Sequence, residues 1–217
     1  MVLDISRRKF LAGSSLGALG LVLGTPFAAF ADTDPAEPTP SFTVTVKDAG
    51  GVVVDAFGQN ASNFADADVK IVNATRSVIA NSDDSYSAVF EFGVKPKAVL
   101  RSNKDEVYDD LGVTIKVSID YRFFRGKITV NSGSVELTNV VADANWISRY
   151  LNVAQGPFSA LQTKTESFDG LSHTVVTGFT EIDYVPSGEA AMNAVMFSGV
   201  MSAPNMPEHL VTAQVSV

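Results

Sequence analysis

From Ser41 onward the chain alternates between apolar and polar residues. Phe42, Val44 and Val46 are interleaved with Thr43, Thr45 and Lys47. Tyr86, Ala88, Phe90, Phe92 and Val94 form a second row, broken only by Val89. The longest row is Val113, Ile115, Val117, Ile119, Tyr121 and Phe123, and every residue between them is polar. A period of two places one set of side chains in a core and the other in water, as in a half-buried strand. Arg125-Gly126 then permits a tight turn, and Ile128 and Val130 continue the pattern on the way back, so a hairpin is predicted here. Asp169-Gly170 predicts a second hairpin turn. Shorter runs predict strands at 51–57, 69–73, 76–80, 97–101, 134–141, 161–168, 172–184, 193–201 and 210–217.

One stretch departs from this rhythm. Trp146, Ile147, Tyr150, Leu151 and Ala154 recur at helical spacing, Asp143 could cap the start, and Gly156-Pro157 would end the run. A short helix is therefore predicted at 145–154. The whole pattern is that of an all-β protein: an antiparallel β-sandwich or partly closed barrel with this one helix. The last row, Val211, Ala213, Val215 and Val217, alternates like the first. That similarity favours a single domain over 41–217.

The first 31 residues are a different object. Ser6-Arg7-Arg8-Lys9-Phe10-Leu11 precedes an uncharged apolar run that reaches Phe30 and includes Gly13, Gly17, Gly20 and Gly24. The run ends Ala29-Phe30-Ala31 before Asp32, with small residues where a signal peptidase reads. The paired arginines followed by Lys-Phe-Leu resemble the twin-arginine (Tat) signal of bacterial exported proteins. That resemblance covers residues 1–31 alone. It implies passage through the Tat translocase, cleavage after Ala31 and a location in the periplasm or outside the cell. The competing reading is a retained anchor, since about 20 apolar residues suffice to span a bilayer. Residues 32–40, DTDPAEPTP, read as an extended linker rich in proline and acid. No later apolar run is long enough for membrane insertion.

Composition narrows the chemistry. Of 217 residues, 16 are basic and 24 acidic, for a formal charge of -8. Losing Arg7, Arg8, Lys9 and Asp4 with the signal takes it to -10. An acidic chain lacks the basic face that a nucleic-acid partner requires. With no cysteine there is no disulfide, thiolate metal site or cysteine nucleophile.

Candidate chemistry is sparse. His173 and His209 are the only histidines, and the one Gly-x-Ser-x-Gly match, Gly13 to Gly17, lies within the signal. Strand acids include Asp120, Glu136, Glu166, Glu181 and Asp183. Asp120 and Glu136, on neighbouring segments, are the pair that could serve glycoside hydrolysis, against the plainer reading of a solvated face. Asp105, Asp109 and Asp110, with Glu106 and Asn103, offer oxygen ligands to calcium, as do Asn60, Asn63, Asp66 and Asp68. No cofactor is otherwise expected. Met192, Met196, Met201 and Met206 with His209 have the donor types of a copper(I) site, although filling gaps in a core is methionine's commoner use. Trp146, Tyr150 and Phe158 are candidates for stacking on sugar rings. The expectation is an exported, non-catalytic binding or structural module, with an envelope or polysaccharide component as partner. The alternative is a secreted polysaccharide hydrolase using a carboxylate pair.

Overall fold

A computed structural model describes residues 37–58, 69–82, 84–96, 112–138, 145–188, 190–203 and 206–217. Two six-stranded antiparallel sheets pack face to face. Sheet A has the order β2 (Val53–Phe57), β1 (Ser41–Lys47), β12 (Met206–Ser216), β11 (Ala194–Ala203), β7 (Asn145–Gln155) and β8 (Gln162–Ser167). Sheet B runs β6 (Lys127–Thr138), β5 (Val113–Phe124), β4 (Ser85–Pro96) and β3 (Val69–Ser82). The short strands β9 (Ser172–Val176) and β10 (Ile182–Asp183) lie end to end along the outer edge of β6. The sheets stay open, so this is a sandwich and not a barrel. Among the described residues no helix is long and apolar enough to cross a membrane.

The alternation explains the core. Val44, Val46, Phe90, Phe92, Ile115, Ile119, Phe197 and Val215 are all buried between the sheets. Their polar neighbours face outward, as a pleated strand requires. Phe90 packs against Phe42 and stacks with Phe92 and with Phe57 of β2. The sheets are in close contact at Gly133, where a Cβ would fall 2.5 Å from Val195 Cγ2 and 2.7 Å from Val153 Cγ2. The first predicted hairpin is present: β5 and β6 are joined by Arg125 at φ 49° and Gly126 at φ 74°, the two left-handed residues of a type I′ turn.

Several expectations are corrected. Residues 145–155 form β7 and not a helix. A bulge opposite Val200 and Met201 adds one residue near Ile147, so the inward positions become Trp146, Leu151 and Val153. That switch of parity imitates a helical repeat. The predicted strands 69–73 and 76–80 are one strand, β3, carried past a bulge at Asn73, whose φ is 53°. The predicted strand 172–184 is two strands, interrupted from Thr177 to Glu181. Asp169-Gly170 does not close a hairpin, because β8 belongs to sheet A and β9 to sheet B. Phe168 turns into the core there, and the Arg149 guanidinium donates to the carbonyls of Asp169 and Gly170. Those bonds hold the crossing between sheets. The predicted strand 97–101 lies outside the described residues, as do residues 1–36, which include the predicted export signal.

Candidate functional site

Three polar regions surround the core. The first is the outer face of sheet B. There Lys116 lies 3.8 Å from Glu136, and Arg122 donates to Asp84 at 2.7 Å. Asp120 accepts from Ser87 at 2.5 Å and from Ser132 at 2.7 Å, so both carboxylate oxygens are engaged. Asp120 is opposite Ser132, whereas Glu136 is opposite Lys116. The two acids are thus four residues apart along the ladder, about 14 Å at about 3.4 Å per residue. Glycosidase carboxyl groups stand about 5–10 Å apart. The register therefore does not bring Asp120 and Glu136 together as an acid–base pair.

The second region closes the flank between β8 and β9. His173 Nε2 donates to Glu166 at 2.9 Å, and Lys164 lies 3.2 Å from the other Glu166 oxygen. Lys164 also donates to the Val176 carbonyl at 2.8 Å. His173 stacks on Phe168 with centroids 5.0 Å apart and planes within 6°. The Lys164 ammonium, and then His173, hold the Glu166 carboxyl below the usual carboxylate range. These bonds join the edge of one sheet to the edge of the other. Their chemistry is that of a latch, with each donor and acceptor committed to its neighbour across the flank.

The third region is the outer face of sheet A. Strand pairing lines up its outward side chains in rows across five strands. One row is Thr43, Gln214, Met196, Asn152 and Thr165. The next is Thr45, Thr212, Ser198, Tyr150 and Ser167. The row Ser41, Ser216, Ala194, Ala154 and Thr163 bounds these on one side, with Ser216, Ala194 and Ala154 buried. On the other side, Lys47, Leu210, Val200 and Ser148 bring in the only charge of the four rows. Hydroxyl and amide groups bond along the surface, as from Asn152 to Thr165 at 3.0 Å. Tyr150 stands out from this face about half exposed, at 48%. The contrast with sheet B, with its Glu91, Lys116, Asp120, Arg122 and Glu136, is one of charge.

The stacking trio is separated. Trp146 is buried at the inner face, edge-on to Phe197 at 5.7 Å and close above Gly199. Tyr150 lies on the outer face, and Phe158 lies in the 3-10 turn Phe158–Ala160 after β7. Only Tyr150 belongs to the uncharged rows. Of the proposed copper donors, Met201 and His209 are directly opposite each other and buried, and His209 Nδ1 donates to the Pro207 carbonyl at 2.8 Å. Met196 faces the other side of the sheet. Among the described residues no three histidine or acidic side chains gather as a metal site. Asp105, Asp109 and Asp110 lie outside the described residues, as do Asn60, Asn63, Asp66 and Asp68. Glu181 sits 4.0 Å from Lys127, and Asp183 ends β10.

The rows on sheet A escaped the sequence reading because they exist only after register assigns neighbours. Their trace was already present in the polar halves of single strands: Thr43 and Thr45, or Thr212, Gln214 and Ser216. No family model matches the chain, and no curated protein or solved structure matches it.

Proposed function

We propose that the chain is an exported, non-catalytic binding module whose uncharged sheet face contacts a neutral polysaccharide of the cell envelope or its surroundings. The observation that carries this reading is the distribution of charge. A protein of net charge -8 keeps four rows of one face free of charge except for Lys47. Hydroxyl and amide side chains both donate and accept, which matches the hydroxyl groups of a sugar polymer. Docking a neutral chain on the rows away from Lys47 strips water from no ionic group, so the large desolvation cost of buried charge does not arise. Tyr150 supplies one exposed ring for stacking. Export rests on the twin-arginine signal, and the Tat translocase is the partner during that step.

Co-sedimentation with insoluble neutral polysaccharides tests the proposal. The purified chain is expected to pellet with at least one of them and to stay in solution with an anionic polysaccharide. Tyr150→Ala, and Thr212→Asp in the same row, should each weaken binding by about 10-fold, since each removes or spoils a contact of about 1–2 kcal/mol. Lys116→Ala on sheet B should leave it unchanged. Equal binding by all three variants would place the ligand elsewhere.

A further inference from the structure

We propose that the exposed half of β3, residues 75–82, is a self-pairing edge through which two copies of the chain join sheet B into one continuous sheet. The strand has two unlike halves. In the first, Asp55 of β2 accepts from the Ile71 backbone N–H at 2.6 Å, so a side chain caps the outer edge. After the bulge at Asn73 the strand continues beside β4 as far as Ser82. Among the described residues no strand pairs with its outer edge there. An open edge presents a row of backbone donors and acceptors at the spacing another strand needs.

Edges of this kind are normally blunted by lysine, proline or inward-pointing charge. The edge strand β8 carries Lys164 and Glu166. Residues 75–82, TRSVIANS, carry Arg76 alone and no proline. Both faces of the segment are open. Arg76 and Val78 share the inward side with Phe90 and Ala88, yet both are exposed, so sheet A does not extend over them. Val78 is 44% exposed and Ile79, on the opposite side, 50%. A strand laid alongside would cover apolar surface on both faces as well as pairing the backbone.

The occupant is a second copy because the segment complements itself. A two-fold axis perpendicular to the sheet sets β3 antiparallel to its partner and keeps equivalent faces together. Centred on Val78, this pairing puts Arg76 opposite Ala80; centred on Ile79, it puts Arg76 opposite Ser82. Neither register opposes like charges, and both stack Val78 and Ile79 near the axis. Either register pairs seven residues over about 24 Å. An interface that narrow belongs to the small, reversible class.

Sedimentation equilibrium of the purified chain from about 1 to 200 µM tests this, a range spanning weak association. The expected result is a shift from one chain mass toward twice that mass as concentration rises. Val78→Lys with Ile79→Lys should hold the mass at one chain, with unchanged far-ultraviolet circular dichroism. Val176→Lys, on the opposite edge of sheet B, should dimerise normally. Hydrogen exchange gives a second reading without mutation: amides in 75–82 should lose protection on dilution through the transition. A single-chain mass at all concentrations overturns the proposal. So does a dimer that survives the double lysine variant, or protection in 75–82 that ignores dilution.

Discussion

Gln155 is fully buried yet is a polar residue at the end of β7. Its side chain accepts from the Val130 N–H at 2.5 Å and donates to the Thr180 carbonyl at 2.8 Å. Beside it, Thr177 Oγ1 donates to the Val130 carbonyl at 2.6 Å. These two side chains serve the stretch of β6 between the ends of β9 and β10, where no strand lies alongside. Replacing Gln155 with Leu leaves the Val130 donor buried and unpaired. The expected cost is about 2–3 kcal/mol, read as a lower midpoint in urea unfolding. Tyr121 gives a second test at this scale. Burial, with Tyr86 and Tyr184 nearby, pushes its phenol up to about 12. The folded chain therefore keeps a proton that the unfolded chain releases near pH 10. That stabilisation is complete below about pH 10 and is lost as pH rises toward about 12. Tyr121→Phe should make the fall in unfolding midpoint over this interval shallower.

Among the elements, β7 shows why the sandwich was legible and its details less so. The alternation of β1, β5 and β12 survives intact, because each is a regular central strand with one face on the core. In β7 one bulged residue changes the parity, and local spacing then favours the wrong period. Asp169-Gly170 misleads for a related reason. Turn chemistry specifies a reversal of the chain but not whether the next strand rejoins the same sheet. The crossing is decided by long-range contacts of Arg149, Phe168 and Glu166, which single-strand patterns do not contain. The candidate site is hidden in the same way: Tyr150 is visible as an aromatic residue, but its uncharged neighbours come from β11, β12 and β1. The latch on the crossing predicts an acid response. Glu166 is held below the usual carboxylate range, so the unfolded chain takes up its proton first as pH falls. Its contribution is present above the ordinary carboxylate value and disappears as pH falls through the folded value. Glu166→Gln removes this term, and the decline in unfolding midpoint below about pH 5 should become smaller. An unchanged acid limb would show that the latch adds nothing to stability.

At the scale of the whole molecule, the distance between the sheets depends on Gly133. Its neighbours across the gap, Val195 and Val153, are both fully buried. A methyl group at 133 would meet both at contacts far inside van der Waals distance, and both belong to paired strands of the opposite sheet. The sheets cannot part locally without disturbing the packing of Phe197 and Leu151 in the same layer. Gly133→Ala is therefore expected to destabilise the chain by about 1–3 kcal/mol, the usual cost of overpacking a close-packed core. Val195→Ala alone should also destabilise it by about 1–3 kcal/mol, by leaving a cavity. The two changes are partly complementary, since the second removes the two Val195 methyl groups that the first would strike and leaves only the Val153 methyl in its way. Urea unfolding of the double variant should thus show a loss smaller than the sum of the single losses by at least about 1 kcal/mol. Additive losses would mean that the sheets relax apart at this point instead of being held at one spacing.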